Sequence, residues 1–231
     1  MKSFISLGPT CVPAEILKAA GLRHCTYGFD WFRSGDFFIE SFFNMPCDLF
    51  LIQFVNQPAI VLNQNSNPRN QSNQTSELAP YQPKFGFNYL YNPHRDYSDN
   101  STQEYFHRAF HRLSSELENY NSEKHFIIAD YANKHGSVFL RDSKTDGSLL
   151  ASVIESSTQY PFLRFTLTVA RIHLIKSTSL LNAPTLKFEK NIISNFNGHK
   201  VLELNIYLSD YFDNEGKLRC AIYKRIGGEL I

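Results

Sequence analysis

Cysteine is scarce: Cys11, Cys25, Cys47 and Cys220 are the four in 231 residues. That is too few for a disulfide scaffold, and no C-x-x-C pair points to zinc or to a dithiol redox centre. Reduced thiols are the reading. Excess charge is missing as well, since 23 basic residues face 22 acidic ones for a net charge of +1, and no bulk field favours nucleic acid. Long apolar runs are absent, and the N-terminal apolar stretch is too short for a signal sequence. A soluble cytoplasmic protein without a membrane or nucleic-acid partner is expected. Walker, GxGxxG, HExxH and GxSxG motifs do not occur, so nucleotide, zincin and serine-hydrolase readings lack their usual carriers. No metal and no cofactor is expected. Sequons at Asn70, Asn73 and Asn100 read as incidental polar loop sequence.

A hydrophobic content of 42% in a chain of this length is enough for one substantial core. The sequence reads as a single α/β domain over residues 1–231, with a mobile Asn/Gln/Ser-rich loop or insertion at about 64–83. Phe4, Ile5 and Leu7 form a short strand that Gly8 and Pro9 stop. A helix follows from Thr10 or Cys11, with Pro13 in its first turn, Ile16, Leu17 and Ala20 on one stripe, and Gly21 as terminator. Further helices are expected at about 37–43, 102–120 and 149–157. Further strands are expected at about 58–62, 85–91, 125–131, 138–140, 162–174, 186–188 and 201–208, with an Asn197-Gly198 turn before the last. Strands and helices interleave without repeat, which predicts a mixed sheet with helices on both faces, an αβα sandwich. Residues 217–225 carry Lys217, Arg219, Lys224 and Arg225 but no recognisable motif.

In an open α/β sheet, sites form at the carboxyl ends of strands, and the first such end carries Cys11. A thiol at a helix N-terminus meets the positive end of the helix dipole and backbone N–H donors, which favour thiolate and could hold an oxyanion. The bland alternative is a small buried residue packed behind a turn. A cysteine nucleophile needs a base. His24 lies beyond the far end of the first helix, where ~10 residues at ~1.5 Å each put it roughly 15 Å away. His94 is better placed, at a strand end, and Asp96 or Asp30 could orient it. His107 and His111 share a helix spacing, but with Arg108 and Arg112 beside them they read as a solvated basic face. Arg95 could meet an anionic group. Tyr27, Phe29 and Trp31 could form a substrate wall, with core packing as the commoner use of such residues.

Three elements in close order carry a resemblance: Ser6-Leu7-Gly8-Pro9-Thr10-Cys11, the helix end Leu17-Lys18-Ala19-Ala20-Gly21-Leu22-Arg23, and Phe29-Asp30-Trp31-Phe32-Arg33-Ser34. Together they resemble a bacterial family of unknown function described as putative papain-like cysteine peptidases. The resemblance implies Cys11 as nucleophile, His94 as base and Asp96 or Asp30 as acidic partner, with an α+β papain-like fold as the alternative architecture. The expected substrate is a peptide or small-molecule acyl compound carrying an amide, ester or thioester, with Gly8, Thr10, Val12, Trp31 and Arg95 as the expected contacts. Two other readings stand beside it. One is a non-catalytic binding module in which the Gly8 to Val12 turn grips a ligand; the other is a transferase holding a phosphate-bearing donor at the same turn. Oligomeric state is not legible.

Overall fold

Alternation of apolar side chains needs a partner strand before it becomes structure, and here the partner of the first strand lies more than a hundred residues away. A computed structural model describes residues 2–8, 10–30, 33–34, 90–91, 100–132, 165–175, 186–196, 198–209 and 216–231. Strand β1 (Lys2–Ser6) leads to helix α1 (Val12–Ala19). Two short strands, β2 (Arg33–Ser34) and β3 (Leu90–Tyr91), pair antiparallel. Helix α2 (Asn100–Glu118), strands β4 (Glu123–Tyr131), β5 (Phe165–Ile175), β6 (Leu186–Phe196) and β7 (His199–Ser209), and helix α3 (Gly216–Gly228) complete the described elements.

Among the described residues the main sheet has five strands in the order β1-β4-β5-β7-β6. The first four are parallel, with Phe4 opposite His125, Phe126 opposite Leu167 and Ala170 opposite Leu204. β6 returns antiparallel to β7 through the turn at Gly198 and carries an irregularity between Ile192 and Ser194. This is the mixed α/β sheet that interleaving predicts, with strands mostly parallel rather than antiparallel as in the α+β alternative.

Side-chain alternation sorts the sheet into two faces. Phe4, Ile127, Ala129, Ile172 and Leu204 face a core completed by α1 and α3. The opposite face takes α2, where the fully buried Lys124 ammonium pairs with Glu116 at 2.8 Å. α1 and α3 pack side by side and run in the same direction. Gly227, near the end of α3, lies against Ala20 just past the end of α1, while the charge of Glu15 in the first turn of α1 reaches Tyr223 on α3. Both helices therefore begin at the carboxyl edge of the parallel strands, and their partial positive ends share that edge.

Two sequence readings change. β6 spans eleven residues, far beyond 186–188, because pairing along β7 stabilises a polar segment that periodicity alone reads as loop. Residues 217–225 belong to α3: its buried Ile222, Tyr223 and Ile226 dock on α1 and the sheet, while Arg219, Lys224 and Arg225 stay exposed, and tertiary packing supplies what the glycine-ended segment lacks in propensity. α1 ends at Ala19, two residues before Gly21, and α2 begins at Asn100 rather than 102. The expected elements at 37–43, 58–62, 138–140 and 149–157, and the loop at 64–83, lie outside the described residues. No described helix is long and apolar enough to cross a membrane.

Candidate functional site

The carboxyl end of β1 is extended by two backbone bonds, Leu7 N–H to the Ile127 carbonyl at 2.9 Å and Ala129 N–H to the Gly8 carbonyl at 3.2 Å. Gly8 then turns at φ 85°, a conformation that a side chain would strain. The turn delivers Cys11 to the capping position just before α1, with the Cys11 carbonyl accepting from Glu15 N–H at 2.9 Å. Val12, Ala14, Ile16 and Leu17 are buried, whereas the Cys11 thiol is partly exposed. The helix start is thus anchored from below and its cysteine faces the edge.

Electrostatics depart from the sequence expectation of a thiolate. Burial, then the Glu15 carboxylate, push the Cys11 thiol up from 9.0 to about 11; Asp130 adds to this, while the residue's own N–H and Arg219 pull the other way. Desolvation and a neighbouring carboxylate outweigh a helix of eight residues. At pH 7 the resting group is the neutral thiol. Donors at the helix start are also fewer than a helix normally offers. Thr10 Oγ1 accepts the Val12 N–H at 3.3 Å, and Pro13 has none to give.

The other two motif segments are joined to each other. Arg23, at the end of the Gly21-Leu22-Arg23 element, donates from Nε at 2.9 Å and from Nη2 at 2.6 Å to Asp30 Oδ2. Nη2 also reaches Thr26 Oγ1 at 2.6 Å, and Tyr27 N–H donates to the same Asp30 oxygen at 3.2 Å. Asp30 is almost fully buried, and desolvation pushes its carboxyl up to about 6 in spite of the Arg23 charge that pulls it down. α2 clamps the loop from the other side, Arg112 Nε donating to the Thr26 carbonyl at 2.9 Å. In this geometry Asp30 holds the loop that leads to Trp31. Sequence reasoning missed the pair, although an arginine and an aspartate in two neighbouring motif elements were a signal for it.

Tyr27 and Phe29 are buried, Phe29 edge-on to Phe110 with centroids 5.6 Å apart. They are core, not an open wall. A Cβ on Gly28 would run into the Phe110 ring. Gly28→Ala is therefore expected to lower stability by about 1–3 kcal/mol through overpacking, read as an earlier denaturant midpoint; an unchanged midpoint would show that the loop yields without cost. His111 is exposed and meets Ser115 at 3.4 Å, and Arg108 pairs with Glu104 at 3.5 Å on the same open face. His24 is exposed beyond α1. His94, Arg95, Asp96 and Trp31 lie outside the described residues. No cluster of three or more metal-ligating side chains occurs among the described residues.

A second polar group, unforeseen from sequence, lies on the sheet face opposite α1. Asp130, Arg171, Asn205 and Glu189 stand in one register row across β4, β5, β7 and β6. Arg171 Nη1 meets Glu203 Oε1 at 2.5 Å, both nearly inaccessible, and Asn191 Nδ2 donates to Glu203 Oε2 at 3.3 Å. His173 Nε2 lies 3.0 Å from Asn205 Oδ1, its ring stacked on Tyr207.

Among curated proteins and among solved structures nothing matches the chain. A family model does match, over residues 2–146, which include β1, Cys11, the Arg23–Asp30 loop, α2 and β4 but neither β5, β6 and β7 nor α3. With more than half of its length so matched, the chain belongs to the family described as putative papain-like cysteine peptidase (DUF1796).

Proposed function

We propose that the protein is a cysteine-dependent hydrolase in which Cys11 attacks the carbonyl of an amide, ester or thioester. One observation carries the reading. A cysteine used only for packing is a buried small hydrophobe, and Cys11 instead leaves the core that its neighbours Val12 and Ala14 enter, holding a partly exposed thiol at the carboxyl edge of the sheet. Membership of the cysteine-peptidase family supports the same assignment.

Because the resting thiol is neutral, the nucleophile forms during attack. A base takes the Sγ proton as the S–C bond forms, which is general-base catalysis rather than a standing thiolate. His94 is the proposed base and Asp96 its proposed acidic partner; Asp30 is the alternative, though its carboxylate is engaged by Arg23. Gly8 and Thr10 shape the turn beside the acyl group, Val12 anchors it in the core, and Trp31 and Arg95 are the proposed contacts for the rest of a peptide or small-molecule acyl substrate. No cofactor enters the scheme.

The test uses p-nitrophenyl acetate, a generic acyl donor. Wild-type protein is expected to release a burst of p-nitrophenolate matched to one acetyl group on Cys11 by mass spectrometry, and Cys11→Ser to lose it. Labelling at other residues, or an equal burst from the variant, would refute the assignment. The same protein treated with iodoacetamide should show Cys11 alkylation rising with pH to well above 9, since burial and Glu15 hold the thiol protonated.

A further inference from the structure

Cys11 caps α1 in a helical backbone conformation, φ -72° and ψ -9°, so the spacing from 11 to 15 puts Glu15 on its side of the helix, with Cβ atoms about 5–6 Å apart. Helical side chains lean toward the N-terminus. The Glu15 side chain thus extends back over the turn that holds the thiol. It is half-buried, and among the described residues it belongs to no ion pair, neither with Lys18 one turn further on nor with Arg219 on α3. An acid in the first turn of a helix favours the helix. Over a nucleophile it is a hindrance: after burial, Glu15 does most to hold the thiol protonated, Asp130 on β4 acts in the same sense, and Arg219 opposes them more weakly. A substrate that brings a positive charge to Glu15 removes that hindrance.

We propose that Glu15 is a specificity-determining residue that receives an ammonium group of the substrate, carried within a few bonds of the carbonyl that Cys11 attacks. The proposal rests on the hydrolase reading given above and gives its substrate a class: an aminoacyl ester, thioester or amide, or a peptide, with a free ammonium beside the reacting carbonyl. The ion pair does two things. It holds the acyl carbon near Sγ, and it neutralises the carboxylate that disfavours a negative sulfur, so the substrate itself releases the nucleophile. In the step served, Sγ bonds to the carbonyl carbon as the thiol proton passes to the base, and the carbonyl π pair moves onto oxygen. When the pair returns, the bond to the leaving group breaks and that group departs with its electrons. Glu15 neither gives nor takes a proton and forms no covalent bond.

Two pairs of reagents, each read at Cys11 by mass spectrometry and at pH 7, test this. The p-nitrophenyl esters of glycine and of acetic acid compare a cationic with a neutral acyl group. 2-Aminoethyl and methyl methanethiosulfonate make the same comparison without an acyl step, the sulfur taking the thioalkyl group and methanesulfinate leaving. Within each pair the ratio of cationic to neutral rate cancels the shared ionisation of the thiol. Glu15→Gln is expected to lower both ratios about fivefold, the upper end for a partly exposed ion pair, while the neutral reagents react faster than with wild type because a charge opposing the thiolate is gone. Ratios unchanged in the variant would overturn the proposal, and acylation of Cys11 by the acetate ester would still leave the hydrolase reading intact. A fall confined to the thiosulfonates would overturn it too, since Glu15 would then act on passing cations and not on an acyl group in place. If neither ester acylates wild-type Cys11, the hydrolase reading falls and the substrate role of Glu15 with it.

Discussion

Arg23→Ala should cost about 3 kcal/mol of folding stability at pH 8 and clearly less at pH 5. The variant leaves the Asp30 carboxyl in a buried loop without the guanidinium that meets it from two nitrogens, and removing one partner of a buried pair is among the costlier single changes. The pH dependence follows from Asp30 itself. Its folded value, about 6, lies above the roughly 3.9 of an unfolded aspartate. Folding therefore binds protons between these values, and this carboxyl's contribution to stability is fully present below pH ~4 and falls as pH rises through 6. Arg23 offsets that fall only where Asp30 is ionised, so its removal matters most above pH 6. Urea melts of wild type and variant at the two pH values check this, and a loss independent of pH would mean that Arg23 acts through packing alone.

The second large effect is expected on the far sheet face. Glu203→Leu takes from Arg171 the carboxylate that meets Nη1, and Arg171→Met takes the guanidinium from Glu203; each should cost about 3 kcal/mol. The double variant should be less destabilised than the sum of the two, because removing both members of a contacting buried pair removes their mutual attraction only once. A double-mutant cycle by denaturant unfolding measures this directly. Additive losses would show that the 2.5 Å contact contributes no coupling and that each residue is held by its other neighbours.

The two predictions concern different halves of the molecule. The Arg23–Asp30 bond lies within the matched residues 2–146 and ties two motif segments into one loop, so part of the family pattern is architectural. The Arg171–Glu203 pair lies beyond that range, on β5 and β7, where it sets two parallel strands against each other. Since the row of Arg171 also holds Asp130, Asn205 and Glu189, a slip of one residue would move these groups to the apolar α1 face. Burying unpaired charges there is far costlier than the register they now hold.

How much of this was legible before folding differs residue by residue. The strand at Phe4 and Ile5, the turn at Gly8, the helix stripe of Ile16 and Leu17 and the stop before Gly21 follow from neighbours within a few positions, because turn chemistry and periodicity are local. The placement of Cys11 at a strand-to-helix turn was readable for the same reason. Its protonation was not: dipole arguments use only the helix, whereas burial by the folded chain raises the thiol most, and the charges of Glu15, Asp130 and Arg219 that act on it come from α1, β4 and α3. α3 escaped notice because its apolar residues make sense only against α1.

The sequence by itself determined an interleaved α/β chain, a cysteine at the first strand's carboxyl end and three motif segments around it. Tertiary structure alone decided that β1 pairs with β4, that Arg23 binds Asp30 and that Arg171 faces Glu203. The physical reason is the range of the interactions. Backbone dihedrals and turn preferences act between adjacent residues, while burial, ion pairing and strand register join residues whose separation along the chain carries no record of their contact.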